Sequence, residues 1–342
     1  MNKKEIIECL REKYPKGLFE KADSVRREFC GEEVHIRGII EFSNYCCRSC
    51  VYCGLRQENK KVSRYRMSAE EIIKLANEIS QYGVKTIVLQ SGDDLGFSQK
   101  ILSDVIDKIK RKHPEIAITL SIGEREFDDY KAFKDAGADR YLLKHETANP
   151  GLYTDLHPGQ TLKKRIEILE CLRKLGYQIG AGNIVGLPEQ TLQDLADDIL
   201  FLRDLDVDMA GIGPFIPQED TPLRDFPCGS LELTLKVLAL TRIVTKNTHL
   251  PATTALATLD FKNGQILGLS AGCNVLMPDF TPEYYRENYV IYDNKARVNL
   301  EKAKEVILKA GRSVSKNRGD SLKKSNVKYQ KFQRENLGFK QG

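Results

Sequence analysis

Four of the nine cysteines lie within eight residues, in the stretch EFSNYCCRSCVYCGLR at 41–56. Two sets of spacings are open, Cys46, Cys50 and Cys53 or Cys47, Cys50 and Cys53. A structural zinc site normally takes four ligands, but the next cysteine, Cys171, is far along the chain and no histidine is close in sequence. Three clustered thiols without a fourth favour a [4Fe–4S] cluster that leaves one iron open for another ligand. A zinc site with a distant fourth ligand remains the alternative.

The composition is that of a soluble protein, with 41% apolar and 30% charged residues among 342. The net charge of +5 is uneven: residues 312–342 hold nine Lys/Arg and two Asp/Glu, or +7, so the other residues sum to −2. The body of the chain therefore lacks the basic groove of a nucleic-acid-binding protein. Its N-terminal stretch is not a signal peptide, and no apolar run would span a membrane. We expect a cytoplasmic protein with a solvated basic tail.

Short apolar runs alternate with helical patterns over most of the chain, which predicts parallel strands joined by helices. Eight strand signals are present, each followed by a helix or a comparable connection. Eight such units favour a closed parallel barrel over a sheet divided between two domains. The strand signals are VHIRGIIEF, TIVLQSG, AITLSIG, RYLLKHE, QIGAGNIVG, DMAGIGPF, LPATTALAT and CNVLMPDF. We predict an α/β protein with a (β/α)8 TIM-type barrel over 34–311. An N-terminal helical extension (1–33) would precede it, and a basic C-terminal tail (312–342) would follow.

Sequence signals also mark where three helices begin or end. Ser68 with Glu71 and Thr191 with Asp194 predict helix N-termini closed by capping boxes. Gly311 predicts the end of the last helix. The five isolated cysteines (Cys9, Cys30, Cys171, Cys228 and Cys273) are expected to be small buried thiols.

Polar residues occur late in several predicted strands, where a barrel buried on both sides should be apolar. Active sites of such barrels lie at the carboxyl ends of the strands, so these side chains predict a polar cavity there. The simpler alternative is that Lys144 and Glu146 only pair with each other at the rim. The polar residues at strand ends are Gln90, Lys144, Glu146, Asn183, Thr253 and Thr254.

The motif CxxxCxxC, with Tyr52 before its last cysteine, resembles the signature of the radical S-adenosylmethionine (SAM) superfamily. This resemblance selects Cys46, Cys50 and Cys53 as the cluster ligands. It implies that one [4Fe–4S] cluster binds SAM at its open iron. Reductive cleavage of SAM would then give a 5′-deoxyadenosyl radical, with the protein providing binding, orientation and exclusion of water.

Contacts to SAM follow from the same resemblance. Ser91, Gly92 and Asp93 stand where the family binds the methionyl amino group, and Tyr52 lies beside the cluster. Ile184, in GNIVGLPEQT, would lie near the adenine. Glu146 is implied near the ribose hydroxyls. Arg165 would bind the methionyl carboxylate, for which its planar fork of donors is suited.

Ordered motifs over about residues 30–310 narrow the resemblance to the HydE-type maturases of FeFe-hydrogenase. These motifs are HIRGIIEFSNYC, TIVLQSGDD, DRYLLKHETANP, GLPEQT, GIGPFIP, DTPL, LPATTA and GCNVLMPDFTP. The resemblance implies a small organometallic, cysteine-derived substrate and transient contacts with other hydrogenase maturases. It also implies an electron donor such as ferredoxin or flavodoxin. Lys144 would be the cation that binds the anionic substrate. The other implied substrate contacts are Gln90, Met209, Thr253, Thr254 and Tyr285.

Other assignments stay open at this point. A methylornithine synthase-like mutase is one alternative, since Lys144 and Glu146 could bind an amino acid, and a non-enzymatic iron–sulfur carrier is another. Biotin synthase would need further cysteines on middle strands, yet no cysteine lies between Cys53 and Cys171. We therefore expect a single cluster.

Overall fold

A computed structural model describes residues 1–13 and 15–323. Within this part the helices are α1 (Lys3–Arg11), α2 (Leu18–Cys30), α3 (Ala69–Gln81), α4 (Gln99–Lys112), α5 (Phe127–Asp135), α6 (Pro150–Leu156), α7 (Leu162–Lys174), α8 (Leu192–Asp204), α9 (Leu231–Thr245), α10 (Thr254–Leu259), α11 (Gly264–Ser270), α12 (Glu283–Arg286) and α13 (Leu300–Lys309). The strands are β1 (Glu33–Ile36), β2 (Gly38–Ser43), β3 (Thr86–Ser91), β4 (Ala117–Ser121), β5 (Arg140–Leu142), β6 (Gln178–Ala181), β7 (Ile184–Val185), β8 (Met209–Ala210), β9 (Gly213–Pro214), β10 (Val275–Leu276) and β11 (Ser313–Val314).

A six-stranded parallel sheet in the order β2-β3-β4-β5-β6-β8 forms the centre of the protein. Single parallel bridges continue it from Met209 to His249 and from Pro251 to Val275. Strand β10 then pairs with β1, which directly precedes β2. The strands thus follow one another in the ring order of the predicted barrel, although several contacts are single bridges. The helices between them pack on the outside of the sheet, and its interior is predominantly apolar.

The prediction of a seventh strand over LPATTALAT was wrong for most of this segment. His249 and Pro251 form only isolated bridges, and α10 begins at Thr254. Proline lacks the N–H that a strand ladder needs, and alanine and leucine are strong helix formers. Thr253 and Thr254 therefore lie at the start of a helix instead of within a strand.

The predicted helix ends are confirmed. Ser68 and Thr191 each accept a hydrogen bond from the residue three positions on, and both capping boxes are complete. Gly311 follows α13 with a φ of +70°, a conformation that glycine adopts without strain. At the other end of the chain, α1 and α2 pack against α8 and α9, so these two helices form an outer layer over α8 and α9.

Residues 315–323 close the amino ends of the strands, although composition predicted a solvated segment. Arg140, at the start of β5, donates from Nη2 to the Arg318 carbonyl and to Asp320 Oδ1, each at 2.8 Å. His249 Nε2 lies 2.9 Å from the Asp320 carbonyl. Lys316, Asn317, Asp320 and Leu322 are exposed, as a solvated segment requires, while hydrogen bonds to buried polar partners hold the segment in place. The rest of the predicted tail, 324–342, lies outside the described residues.

Of the five isolated cysteines, only Cys273 is fully buried, while Cys228 is exposed and the others are half-buried. The prediction of buried thiols therefore holds for one position. In the part of the chain that the structure describes, no helix combines the length and the apolar character needed to cross a membrane.

Candidate active site

The cysteine loop (44–56) leaves β2 at its carboxyl end and is held by backbone hydrogen bonds from three sides. Cys47 N donates to the Asp93 carbonyl at 3.1 Å, and Val51 N donates to the Leu156 carbonyl at 3.0 Å. Gly54 N donates to the Ile291 carbonyl at 3.2 Å. The loop is therefore fixed by the segment after β3, by α6 and by the segment after α12, although it has little regular structure of its own.

Three of the four clustered thiols lie close to one another. Burial raises the pKa of Cys50, and the neighbouring thiols of Cys53 and Cys46 raise it further. Burial also raises the pKa of Cys46 to about 12 and that of Cys53 to about 11. Cys47 is exposed. Its pKa is raised mainly by partial burial and then by the charge of Asp93, while the charge of Arg48 opposes the rise. The thiols of Cys46, Cys50 and Cys53 thus influence one another's pKa, whereas no other cysteine is among the main influences on the pKa of Cys47. The choice of the CxxxCxxC register stays a prediction.

The chemistry of this donor set fits an iron–sulfur cluster, because thiolates are its usual protein ligands. Each cysteine of a cubane binds a different iron atom, so the sulfurs need not converge on one point. Among the described residues, no three His, Cys, Asp or Glu side chains are grouped to hold a single metal ion. Gly92 allows its segment to pack closely against the cysteine loop. A Cβ at this position would lie only 2.4 Å from the Tyr45 carbonyl oxygen and 2.7 Å from Cys46 Cβ.

A network of ion pairs connects the segment after β3 to α7. Arg48 Nε lies 2.6 Å from Asp93 Oδ2, and Arg48 Nη2 lies 3.2 Å from Glu124. Arg165, which is buried, binds the other oxygen of Glu124 through Nε at 2.8 Å and the Lys144 carbonyl through Nη1 at 2.7 Å. The two predicted SAM-binding residues Asp93 and Arg165 are therefore linked through Arg48 and Glu124. Ser91 donates to the Gly92 carbonyl at 2.7 Å in the same segment.

Lys144 and Glu146 form an ion pair after the end of β5, with Nζ and Oε2 3.0 Å apart. Burial opposes the negative charge of Glu146, but the nearby charges of Lys144 and His157 lower its pKa overall. Glu146 has a φ of +60°, uncommon for a residue with a side chain. Its backbone bridges to Asn183, whose buried amide has no hydrogen-bond partner among the described residues.

A cavity of about 350 Å³ joins the cysteine loop to the interior of the sheet. Cys53 and Tyr52 line it from the loop, and the Tyr52 hydroxyl is 3.0 Å from His157 Nε2. Its lining is mixed, with charged groups beside apolar ones, as in many ligand sites. The predicted residues that line it from other elements are Gln90, Lys144, Glu146, Ile184, Thr253 and Thr254.

Two predicted substrate contacts are not among the residues that line this cavity. The Tyr285 hydroxyl donates to Glu71 at 3.0 Å and its ring packs on Tyr65, so it is held at the surface by α3. Met209 is buried beneath the cavity, where Arg37 Nη1 lies 3.1 Å from its sulfur. Both predictions came from the resemblance, which gives a position along the chain but not the direction of a side chain.

Glu41 and Lys295 line the cavity and were missed by sequence reasoning. Lys295 Nζ forms an ion pair with Glu41 Oε1. Glu41 was visible as the one charged residue of the strand IIEF, which is buried throughout. Lys295 follows α12 in an irregular segment, where sequence gave no signal for a buried side chain.

Comparison with known proteins places the chain in a family. Residues 40–202 match the model of the radical SAM superfamily. The chain is 49% identical to the [FeFe] hydrogenase maturase subunit HydE of Thermotoga maritima over 85% of this chain and 83% of that protein. It is 28% identical to 3-methylornithine synthase of Methanosarcina acetivorans, over 85% and 82%.

Solved structures support the same fold. Methylornithine synthase (PylB) superposes with a TM-score of 0.82 over 92% of this chain and 94% of that chain, at 24% identity. The hydrogenase maturase HydG superposes with a TM-score of 0.76 over 91% and 71%, at 19% identity. Members of the radical SAM superfamily are enzymes that bind a [4Fe–4S] cluster and SAM. The chain is a radical SAM enzyme and belongs to the family of the [FeFe] hydrogenase maturase subunit HydE.

Proposed function

We propose that this radical SAM enzyme helps to assemble the diiron subcluster of FeFe-hydrogenase. In this proposal the adenosyl radical attacks sulfur of a cysteine-bound iron carbonyl cyanide precursor inside the barrel cavity. The observation that carries it is the cavity itself, which is lined by Cys53 of the cysteine loop and by Lys144, Gln90 and Thr253 of the sheet interior. The 49% identity to HydE supports the reaction class.

Three cysteines and several neighbours would hold the cofactors. When bound, the cluster and SAM supply the electron and the 5′-deoxyadenosyl radical. Cys46, Cys50 and Cys53 would bind iron. Arg165 would pair with the methionyl carboxylate, and Glu146 would accept hydrogen bonds from the ribose. The other proposed SAM contacts are Tyr52, Ser91, Gly92, Asp93 and Ile184.

The polar part of the cavity would bind the anionic substrate. Lys144 provides positive charge, and Gln90 and Thr254 provide hydrogen-bond donors. The Thr253 hydroxyl is buried and has no hydrogen-bond partner in the described part of the chain. An unpaired buried hydroxyl is unfavourable, so Thr253 would gain a partner when substrate binds. We expect other hydrogenase maturases to exchange substrate and product with this enzyme, and a ferredoxin or flavodoxin to reduce its cluster.

An anaerobic maturation assay tests this proposal. Apo-hydrogenase and the other maturases are incubated with SAM and reductant, with and without this protein, and hydrogen evolution is measured. We expect activity only when the protein is present. Lys144→Ala should still form 5′-deoxyadenosine but give no active hydrogenase, because the substrate loses its cation. Full maturation by Lys144→Ala would reject the role of this lysine.

Methylornithine synthase is the second candidate, because its structure superposes with the higher TM-score of 0.82. The same protein is therefore incubated with lysine, SAM and reductant, and the products are separated by chromatography. A rearranged amino acid, formed while hydrogenase stays inactive, would replace the maturase proposal with the mutase. If no 5′-deoxyadenosine forms under either condition, both proposals fail.

A further inference from the structure

Glu41, Lys295 and Asp279 form a buried charged cluster in the wall of the cavity. Glu41 is only 1% exposed and lies in the middle of β2. Lys295 Nζ pairs with Glu41 Oε1 and lies 3.9 Å from Asp279 Oδ2. Within the described residues, neither Glu41 Oε2 nor Asp279 Oδ2 receives a hydrogen bond. The buried carboxyl group of Glu41 and the half-buried one of Asp279 thus depend on a single ammonium group.

Charge balance requires one more positive charge in this cluster. Two carboxylates and one ammonium carry a net charge of −1, and a buried uncompensated charge is strongly unfavourable. Two neighbouring carboxyl groups solve this by sharing one proton, because the second ionisation would place like charges side by side. One proton held by the pair makes the cluster neutral.

The proton belongs mainly to Glu41. Asp279 Oδ1 accepts a hydrogen bond from the Thr281 amide at 2.9 Å. Burial raises the pKa of Glu41 to about 8, with Lys295 opposing the rise and Asp279 adding to it. The other titratable groups that act on this cluster are tyrosines whose own pKa values burial raises, so they are neutral. They are Tyr65, Tyr289 and Tyr292.

We propose that Glu41 and Asp279 share one proton at neutral pH and that Glu41 transfers it to an anionic sulfur atom of the substrate. Glu41 lines the same cavity as Cys53 and Gln90, so a substrate there lies beside it. In the transfer the O–H bond of Glu41 breaks and an S–H bond forms. The electron pair stays on the Glu41 carboxylate, whose Oε1 is already paired with Lys295. The transfer step rests on the function proposed above, whereas the shared proton does not.

Infrared difference spectroscopy detects the proton without any turnover. A protonated carboxyl group gives a C=O band that shifts in D2O and that carboxylates lack. At pH 7 we expect Glu41→Gln to lose this band. Asp279→Asn should lose it as well, because removing the like charge lets Glu41 ionise beside Lys295. Glu305→Gln, which changes an exposed glutamate paired with lysines, is the control and should keep it.

An unchanged carboxylic-acid band in both Glu41→Gln and Asp279→Asn would overturn the shared proton. This result is independent of whether the protein matures hydrogenase, so failure of the proposed function is recognised separately.

Turnover tests the transfer itself. Glu41→Gln keeps the size and hydrogen-bonding capacity of the side chain but has no proton to release. Substrate-dependent turnover should fall about 100-fold, the usual range for loss of a general acid. Glu41→Asp should restore part of it, and the decline of wild-type turnover above about pH 8 should be absent from Glu41→Gln. Wild-type turnover by Glu41→Gln would overturn the transfer.

Discussion

Asp94 is the anchor of the segment that follows β3. Arg66 binds both of its oxygens, with Nε–Oδ2 at 2.7 Å and Nη2–Oδ1 at 2.8 Å. Ser43 at the end of β2 donates to Oδ2 at 2.6 Å. These contacts outweigh burial and lower the pKa of Asp94 from its ordinary value of 3.8. One residue thereby joins the ends of two strands next to the cysteine loop.

We expect Asp94→Asn to destabilise the protein at neutral pH by about 2 kcal/mol, since hydrogen bonds to charged groups are lost. Because the pKa is lower in the folded state, ionised Asp94 stabilises the fold above pH 3.8, and this stabilisation is lost as the pH falls through the folded pKa. Denaturant unfolding at pH 7 and pH 3 checks this. The difference between wild type and variant should shrink at pH 3, and an equal difference at both would contradict the account.

At this scale, residue type and spacing predict Cys46, Cys50 and Cys53 as the cluster ligands, because liganding requires particular atoms close together in the chain, and this assignment stays a prediction. Gln90, Lys144, Thr253 and Thr254 were also predicted, and the structure brings them to the cavity. Lys295 was missed because its burial depends on the path of an irregular segment. Such a path is decided by tertiary packing, which local sequence patterns do not describe.

Among the structural elements, the loops after the strands decide the shape of the site. Gly123, after β4, has a φ of +73°, and a Cβ there would lie 1.5 Å from Asp93 Oδ1. The Asp93 carboxylate therefore packs directly on the Gly123 backbone and accepts a hydrogen bond from Glu124 N at 3.1 Å. The loop after β4 thus positions a proposed SAM contact in the loop after β3.

Gly123→Ala should displace Asp93 and strongly reduce 5′-deoxyadenosine formation as well as stability. The matched control is Gly83→Ala, which has a similar φ of +77° but nothing within 4 Å of the new Cβ. Gly83→Ala should lower the free energy of unfolding by only about 1 kcal/mol, because alanine is strained in the left-handed conformation. Thermal unfolding and product formation are measured for both. Equal behaviour of the two variants would show that the contact with Asp93 has no role.

Helices were easier to predict than strands in this fold. The capping boxes at Ser68 and Thr191 are local signals, complete within four residues. The strand LPATTALAT failed because a short apolar run fits either a buried strand or a helix. In the structure its pairing is limited to isolated bridges at His249 and Pro251, to Met209 and Val275 of the neighbouring strands.

For the molecule as a whole, the carboxyl ends of the parallel strands form the candidate site, whereas their amino ends have a structural role. The carboxyl ends carry the cysteine loop and the cavity, as expected for a TIM-type barrel. The amino ends are covered by residues 315–323, in which Asp320 accepts from buried Arg140 and from Gln178. A segment distant in sequence from these strands thus completes the fold. Composition alone could not predict this, because its partners come from several strands.

Asp320→Ala should lower the free energy of unfolding by about 2 kcal/mol, because Arg140 is 1% exposed and loses a charged partner. Asp225→Ala is the control, since Asp225 pairs with Arg224 at the surface. Exposed pairs of this kind contribute about 0.5 kcal/mol or less. Denaturant unfolding of both variants makes the comparison. A loss no larger for Asp320→Ala than for Asp225→Ala would contradict the role of this segment.

The central claim is that Cys46, Cys50 and Cys53 hold the cluster at which SAM is cleaved. The most direct test is anaerobic reconstitution with iron and sulfide, followed by reduction, addition of SAM and quantification of 5′-deoxyadenosine. Wild type is compared with Cys46→Ser and Cys47→Ser, which differ by one position in the same loop. We predict product from wild type and Cys47→Ser but none from Cys46→Ser. Product from Cys46→Ser but none from Cys47→Ser would contradict this assignment of the ligands.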